Sequence, residues 1–133
     1  MKLGFIGFGE VSFEISNGLK MEGLQEIVAF DPMQNDPQFG SFVKQRAITA
    51  AVNLLDTPGA VIAAADLIIA AVPGSKALQA AESILGDLNE RKIYADVSTS
   101  SPTTKQKIAT LIASTGALFV DGALMGGLRL QQH

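Results

Sequence analysis

With 133 residues, 47% of them apolar and 17% charged, the chain has the length and balance of one globular domain with a real core. Ten Lys and Arg against thirteen Asp and Glu give a formal net charge of −3, which leaves no basic surplus for nucleic acid or an anionic membrane. Cysteine is absent and the single histidine is His133, so a disulfide framework, a thiolate nucleophile and a His/Cys metal centre are excluded. The glycine-broken N-terminus is too short for a secretory signal, and no apolar run reaches the ~18 residues of a membrane span. The expected compartment is the cytoplasm.

The chain opens on Leu3 to Ser12, LGFIGFGEVS, an apolar run that breaks into Gly7-Phe8-Gly9 and then turns amphipathic. This reads as a first strand, a phosphate loop and a helix start. Gly7 would allow the tight turn, Gly9 the close approach of a pyrophosphate, and the third position, here Ser12 instead of glycine, the packing of helix on strand. Unpaired amides at the helix N-terminus would meet the phosphates. An ordinary strand-to-helix turn could also carry two glycines. What separates the readings is Asp31, 22 positions beyond Gly9 at the end of a second apolar run, Glu26 to Phe30. A carboxylate there accepts the adenosine ribose hydroxyls and repels a 2′-phosphate, and no Arg or Lys follows within ten residues. The expected cofactor is therefore NAD, with NADP less favoured.

The first helix should run to Gly23, with Val11, Ile15 and Leu19 on its apolar face and Ser12, Ser16 and Gly18 as small neighbours. After strand two, Pro32 to Gly40 reads as a loop, Ser41 to Arg46 as a short helix, and Ala47 to Ala50 as a brief third strand. Asp56 or Thr57 should cap a helix with Pro58 in its first turn, ending near Ala65. Asp66 to Val72 is almost unbroken apolar sequence, the mark of a central parallel strand, and Pro73-Gly74 ends it. Ser75 should cap a helix to about Leu85, and Lys92 to Asp96 makes a fifth strand. The hydroxyl-rich Ser98 to Pro102 precedes a helix to about Ser114, and Ala117 to Asp121 makes a sixth strand. Alternating strand and helix predict an α/β fold, a doubly wound parallel sheet of about six strands with helices on both faces. Ligands of such a sheet sit at the carboxyl ends of its strands.

The residues at those ends resemble the β-hydroxyacid dehydrogenases, which include 6-phosphogluconate dehydrogenase and 3-hydroxyisobutyrate dehydrogenase. The resemblance rests on GFIGFGEVSFEISNGL, on AVP at 71 to 73, on DVSTSSP at 96 to 102 and on FVDGALMGG at 119 to 127. It implies a Rossmann domain in which Phe8, Gly9, Glu10 and Val11 line the pyrophosphate, beside Gly7, and Asp31 meets the adenosine ribose. It also implies that Val72 and Pro73 flank the adenine and ribose, and that Thr99 lies at the nicotinamide end. Ser98 and the backbone amides of Gly126 and Gly127 would face a small carboxylate substrate. Met125 stands where the family usually has a substrate-binding serine, a departure from the usual small hydroxyacids.

The family's catalytic lysine lies on a helix well beyond the substrate loop. No catalytic residue is therefore expected within 1–133, which reads as the N-terminal dinucleotide-binding domain of a longer, homo-oligomeric two-domain enzyme. Lys105 and Lys107 read as solvated charges on an amphipathic helix. His133 is a terminal residue, and Tyr94 is expected to pack inside its strand. Two other functions fit the same opening: a pyrroline-carboxylate or imine reductase, and a non-catalytic NAD-binding module.

Overall fold

The computed structural model describes residues 1–122. Six strands form one parallel sheet: β1 (Leu3–Ile6), β2 (Ile27–Phe30), β3 (Asn53–Leu54), β4 (Leu67–Ala70), β5 (Ile93–Asp96) and β6 (Leu118–Asp121). Their spatial order, β3-β2-β1-β4-β5-β6, is the doubly wound Rossmann order, with its topological switch between β1 and β4. Among the described residues the α-helices are α1 (Glu10–Met21), α2 (Gly40–Ala50), α3 (Pro58–Ala64), α4 (Ala77–Glu82) and α5 (Pro102–Ala113).

Strand alternation sends side chains into two separate cores. Leu3 and Phe5 of β1, Ile27 and Ala29 of β2 and Ile69 of β4 share one core with Phe8 and with Ala47 and Ala50 of α2. Ile6, Ile68 and Tyr94 share the other with Val61 and Ile62 of α3, Ala77 and Ala81 of α4, and Ile108 and Ile112 of α5. Both faces of the central strands are thus covered, which is why β4 reads as a nearly continuous apolar run.

Three local expectations are corrected. Ala47 to Ala50 is the last turn of α2 and not a strand; Val43, Ala47 and Ala50 recur at helical spacing and are buried, while Ile48 is 72% exposed. The strand that follows, β3, begins only at Asn53. Ser75 does not cap α4: a 3₁₀ turn over Gly74–Lys76 intervenes, and α4 ends at Glu82. On α1 it is Val11 that leaves the expected apolar face, being half exposed, while Ile15 and Leu19 pack against the core and Ser12 and Ser16 are fully buried. Small side chains bring that helix close to the sheet where larger apolar ones would hold it away.

Candidate dinucleotide site

The loop after β1 divides its two glycines between different tasks. Gly7 has φ +89°, and a Cβ there would lie 2.5 Å from the carbonyl oxygen of Ala71, so the turn itself demands glycine. Gly9 has φ −87°, which any residue adopts, and a Cβ built on it meets nothing within 4 Å. The space beside Gly9 is open. α1 starts directly after it with no side-chain cap, whereas α3 and α5 are capped by Thr57 and Ser101, whose hydroxyls accept from the Ala60 and Thr104 amides. An uncapped N-terminus next to open space suits an anion. Ser12, at the imperfect third position, donates its hydroxyl to the Gly7 carbonyl at 2.7 Å and ties helix to loop from the buried side.

Phe8 serves two purposes. Its ring is fully buried edge-on to Phe5, with centroids 5.9 Å apart, while its backbone is gripped from the β2 flank. The Phe8 amide donates to Asp31 Oδ2 at 2.7 Å, and the Phe8 carbonyl accepts from Arg46 Nη1 at 3.4 Å. Asp31 Oδ1 accepts from the Met33 amide at 2.8 Å, so each carboxylate oxygen holds one backbone amide and keeps a lone pair for a further donor. Gln34, only 5% exposed, accepts from the Asp31 amide and donates to the Leu55 carbonyl, fastening the β2 loop to the end of β3. Glu10 and Val11 stand on the exposed first turn of α1.

Contacts continue along the strand ends. A Cβ on Gly7 would reach Val72 Cγ1 at 3.0 Å, and one on Gly74 would strike the Thr99 carbonyl. The loops after β1, β4 and β5 therefore touch in sequence. Val72 is half buried, and Pro73 and Thr99 are exposed. Ser98 is 6% exposed: its amide donates to Asp96 Oδ1 at 2.7 Å and its hydroxyl pairs with Ser100 Oγ at 2.7 Å. The substrate-loop residues Met125, Gly126 and Gly127, and His133, lie outside the described residues.

Lys105 is not the solvated charge its position on an amphipathic helix implied. Its ammonium group is 2.9 Å from the Asp96 carbonyl, 3.2 Å from Asp96 Oδ1 and 3.3 Å from Asp121 Oδ1, and the side chain is only 12% exposed. The reason is geometric: Lys105 precedes Ile108 and Ile112 at i, i+3, i+7, on the stripe by which α5 packs on the sheet. Lys107, off that stripe, is exposed as expected. Tyr94 is fully buried, as a packing residue should be, and its hydroxyl and Asp96 Oδ2 have no hydrogen-bond partner among the described residues. Burial, reinforced by the Asp96 charge, pushes the Tyr94 phenol well above its usual range.

Asp31, Phe8, Gly7, Val72, Gly74 and Thr99 follow one another along the carboxyl ends of the strands, Gly74 being an addition to the expected cofactor residues. Arg46, Gln34 and Lys105 are additions that spacing in the sequence alone did not single out. The described residues contain no group of three His, Cys, Asp or Glu side chains able to hold a metal ion, and no helix long and apolar enough to cross a membrane.

Comparison with known proteins agrees with this geometry. Among solved structures, a conserved hypothetical protein from Sinorhizobium meliloti 1021 is 30% identical with a TM-score of 0.79, over 90% of this chain and 40% of that one. The 3-hydroxyisobutyrate dehydrogenase of Mycobacterium tuberculosis, solved with L-serine, is 22% identical with a TM-score of 0.77, over 90% and 39%. An imine reductase from Myxococcus stipitatus, in complex with NADP+, shares the fold at 14% identity and a TM-score of 0.74, over 91% and 40%. The chain thus spans about 40% of the length of the structures it resembles. No curated protein sequence matches it. The family model for the NAD binding domain of 6-phosphogluconate dehydrogenase matches residues 2–132, and the chain belongs to that family of NAD(P)-binding domains.

Proposed function

We propose that this chain is the cofactor platform of an oxidoreductase acting on a small carboxylate-bearing alcohol or carbonyl. The observation that carries the reading is the open space at Gly9 against an uncapped α1 N-terminus, with Asp31 bonded to the neighbouring Phe8 amide. When bound, the dinucleotide supplies the hydride. The chain supplies position: amides at the start of α1 for the pyrophosphate, Asp31 for the adenosine ribose, and the Val72-Pro73 and Ser98-Thr99 segments for the opposite end. Asp31 favours NAD, since a 2′-phosphate would meet its charge.

The similarity to 3-hydroxyisobutyrate dehydrogenase supports a small hydroxyacid as the substrate class, and the short share of each relative that the chain spans supports a further domain that completes the enzyme. The reading also carries a homo-oligomeric whole protein working in the cytoplasm on small molecules and not on nucleic acid; the acidic charge balance supports the last point.

The test is calorimetric titration with NAD and NADP of the natural chain and of Gly9→Val. Because a Cβ at this position meets no protein atom within 4 Å and the side chain would fill the pyrophosphate space, the variant is expected to keep its circular dichroism spectrum and lose measurable dinucleotide affinity. Undiminished affinity in a folded Gly9→Val protein would remove the loop from the site.

A further inference from the structure

Lys105 closes the first turn of α5, near the positive end of the helix dipole, and faces inward on the stripe that Ile108 and Ile112 continue. Neither helix electrostatics nor core packing favours an ammonium group at that position. What it meets there is a pair of like charges: Asp96 and Asp121 are register partners at the last positions of β5 and β6, a juxtaposition that repels. The ammonium lies 3.2 Å from Asp96 Oδ1 and 3.3 Å from Asp121 Oδ1, and it donates to the Asp96 backbone carbonyl at 2.9 Å. One group thus grips both strand ends.

The Asp96 carboxylate is held through one oxygen. Its Oδ1 accepts from Lys105 and, at 2.7 Å, from the Ser98 amide, whereas the buried Oδ2 has no hydrogen-bond partner among the described residues. The orientation of the carboxylate, and with it the turn into Ser98, therefore depends on those two donors. From Ser98 the contacts run outward: its hydroxyl pairs with Ser100 Oγ at 2.7 Å, and Ser100 Oγ donates to the Gly74 carbonyl in the loop after β4 at 3.4 Å. On the other side Gly122, directly after β6, has no room for a side chain, since a Cβ there would lie 2.5 Å from the Asp96 carbonyl. The ends of β4, β5 and β6 are thus joined around the atoms that Lys105 grips. Stability alone does not account for the arrangement, because apolar side chains of similar volume often stabilise as well as a buried ion pair or better.

We propose that Lys105 is a positioning residue for the nicotinamide end of the cofactor: through Asp96 it fixes the Ser98–Ser100 segment, and through Asp121 the exit of β6, so that the two keep one spacing. This rests on the dinucleotide reading given above, in which Ser98 and Thr99 serve the end opposite the adenosine. Lys105 acts from behind the loop, with its donors committed to Asp96 and Asp121. An apolar residue on the same stripe would fill the space beneath the loop and leave its turn to the Ser98 amide alone.

The experiment is titration of the natural chain, Lys105→Met and the double variant Lys105→Met with Asp96→Asn, each with NAD and with ADP-ribose, which lacks the nicotinamide, alongside urea denaturation. The natural chain should bind NAD more tightly than ADP-ribose. Lys105→Met is expected to weaken NAD about two- to tenfold, the worth of one hydrogen bond, and to leave ADP-ribose affinity unchanged. In the double variant the unpaired buried charge is gone, so stability should return in part while the loss of NAD affinity persists. Should the single variant fail to fold, the double variant carries the same comparison. A folded double variant with the natural NAD affinity would reduce Lys105 to charge compensation and overturn the proposal, as would equal weakening of both ligands or a natural chain that does not distinguish them. If the natural chain bound neither ligand, the dinucleotide reading itself would fall and the proposal with it, a result distinct from the others.

Discussion

Gly7 and Gly9 look alike in the sequence and differ in the structure: the turn requires glycine at the first, and nothing in the fold requires it at the second. Gly7→Ala places a methyl group 2.5 Å from a backbone carbonyl at φ +89°, a conformation L side chains rarely adopt, so its expected cost is at least about 2 kcal/mol of stability. Gly9→Ala should cost less than about 1 kcal/mol, since only its modest helix-capping preference is lost. Urea denaturation of the two variants measures the contrast; equal losses would show that Gly9 also serves the turn. Asp31 was legible from spacing because the βαβ unit has a nearly fixed length. Arg46 and Gln34 were not: their roles depend on which way α2 and the β2 loop fold back on the sheet, and no local pattern around them encodes that return.

At the scale of elements, strands and capped helices could be read where one physical signal dominated. Thr57-Pro58 and Ser101-Pro102 pair a hydroxyl cap with a proline in the first turn, and α3 and α5 start there. The third strand was misplaced because Ala47-Ile48-Thr49-Ala50 contains β-branched residues, whereas the deciding feature is the buried spacing of Val43, Ala47 and Ala50 across a longer window. Lys105 was readable by the same means and was missed: a charge on a buried stripe needs a partner, and here Asp96 and Asp121 at the ends of β5 and β6 supply it. Removing the ammonium by Lys105→Met leaves the fully buried Asp96 carboxylate facing Asp121, with the Ser98 amide as its remaining donor. The expected destabilisation is about 3 kcal/mol, the usual consequence of breaking one side of a buried pair. A double variant, Lys105→Met with Asp96→Asn, should recover part of it, and chemical denaturation of both would reveal a merely decorative ion pair as no change at all.

For the whole molecule, strand order sets the length of the crevice, and the crevice sets which groups can take part in chemistry. Hydride transfer from an alcohol needs a partner for the hydroxyl proton, a contribution of roughly 10²- to 10⁴-fold when one is positioned. The described side chains near the β5 and β6 ends are unsuited to it. The Lys105 ammonium has three N–H donors and faces three oxygens, those of the Asp96 carbonyl, Asp96 and Asp121, so its donors are committed to the protein. Asp96 is fully buried, and the Tyr94 phenol is buried and held in its protonated form by that burial and by Asp96. Asp31 is bound to the loop after β1, on the β2 side and away from the β5 and β6 ends. Residues 1–133 are accordingly expected to bind the dinucleotide and to produce no appreciable NADH from small hydroxyacids at saturating cofactor. Joining the chain to a domain that brings a lysine to the nicotinamide end should raise turnover without a matching gain in cofactor affinity, because the added group acts on the transition state and not on the bound dinucleotide. Robust turnover by residues 1–133 alone would place the proton acceptor within this chain and overturn the division of labour argued for it.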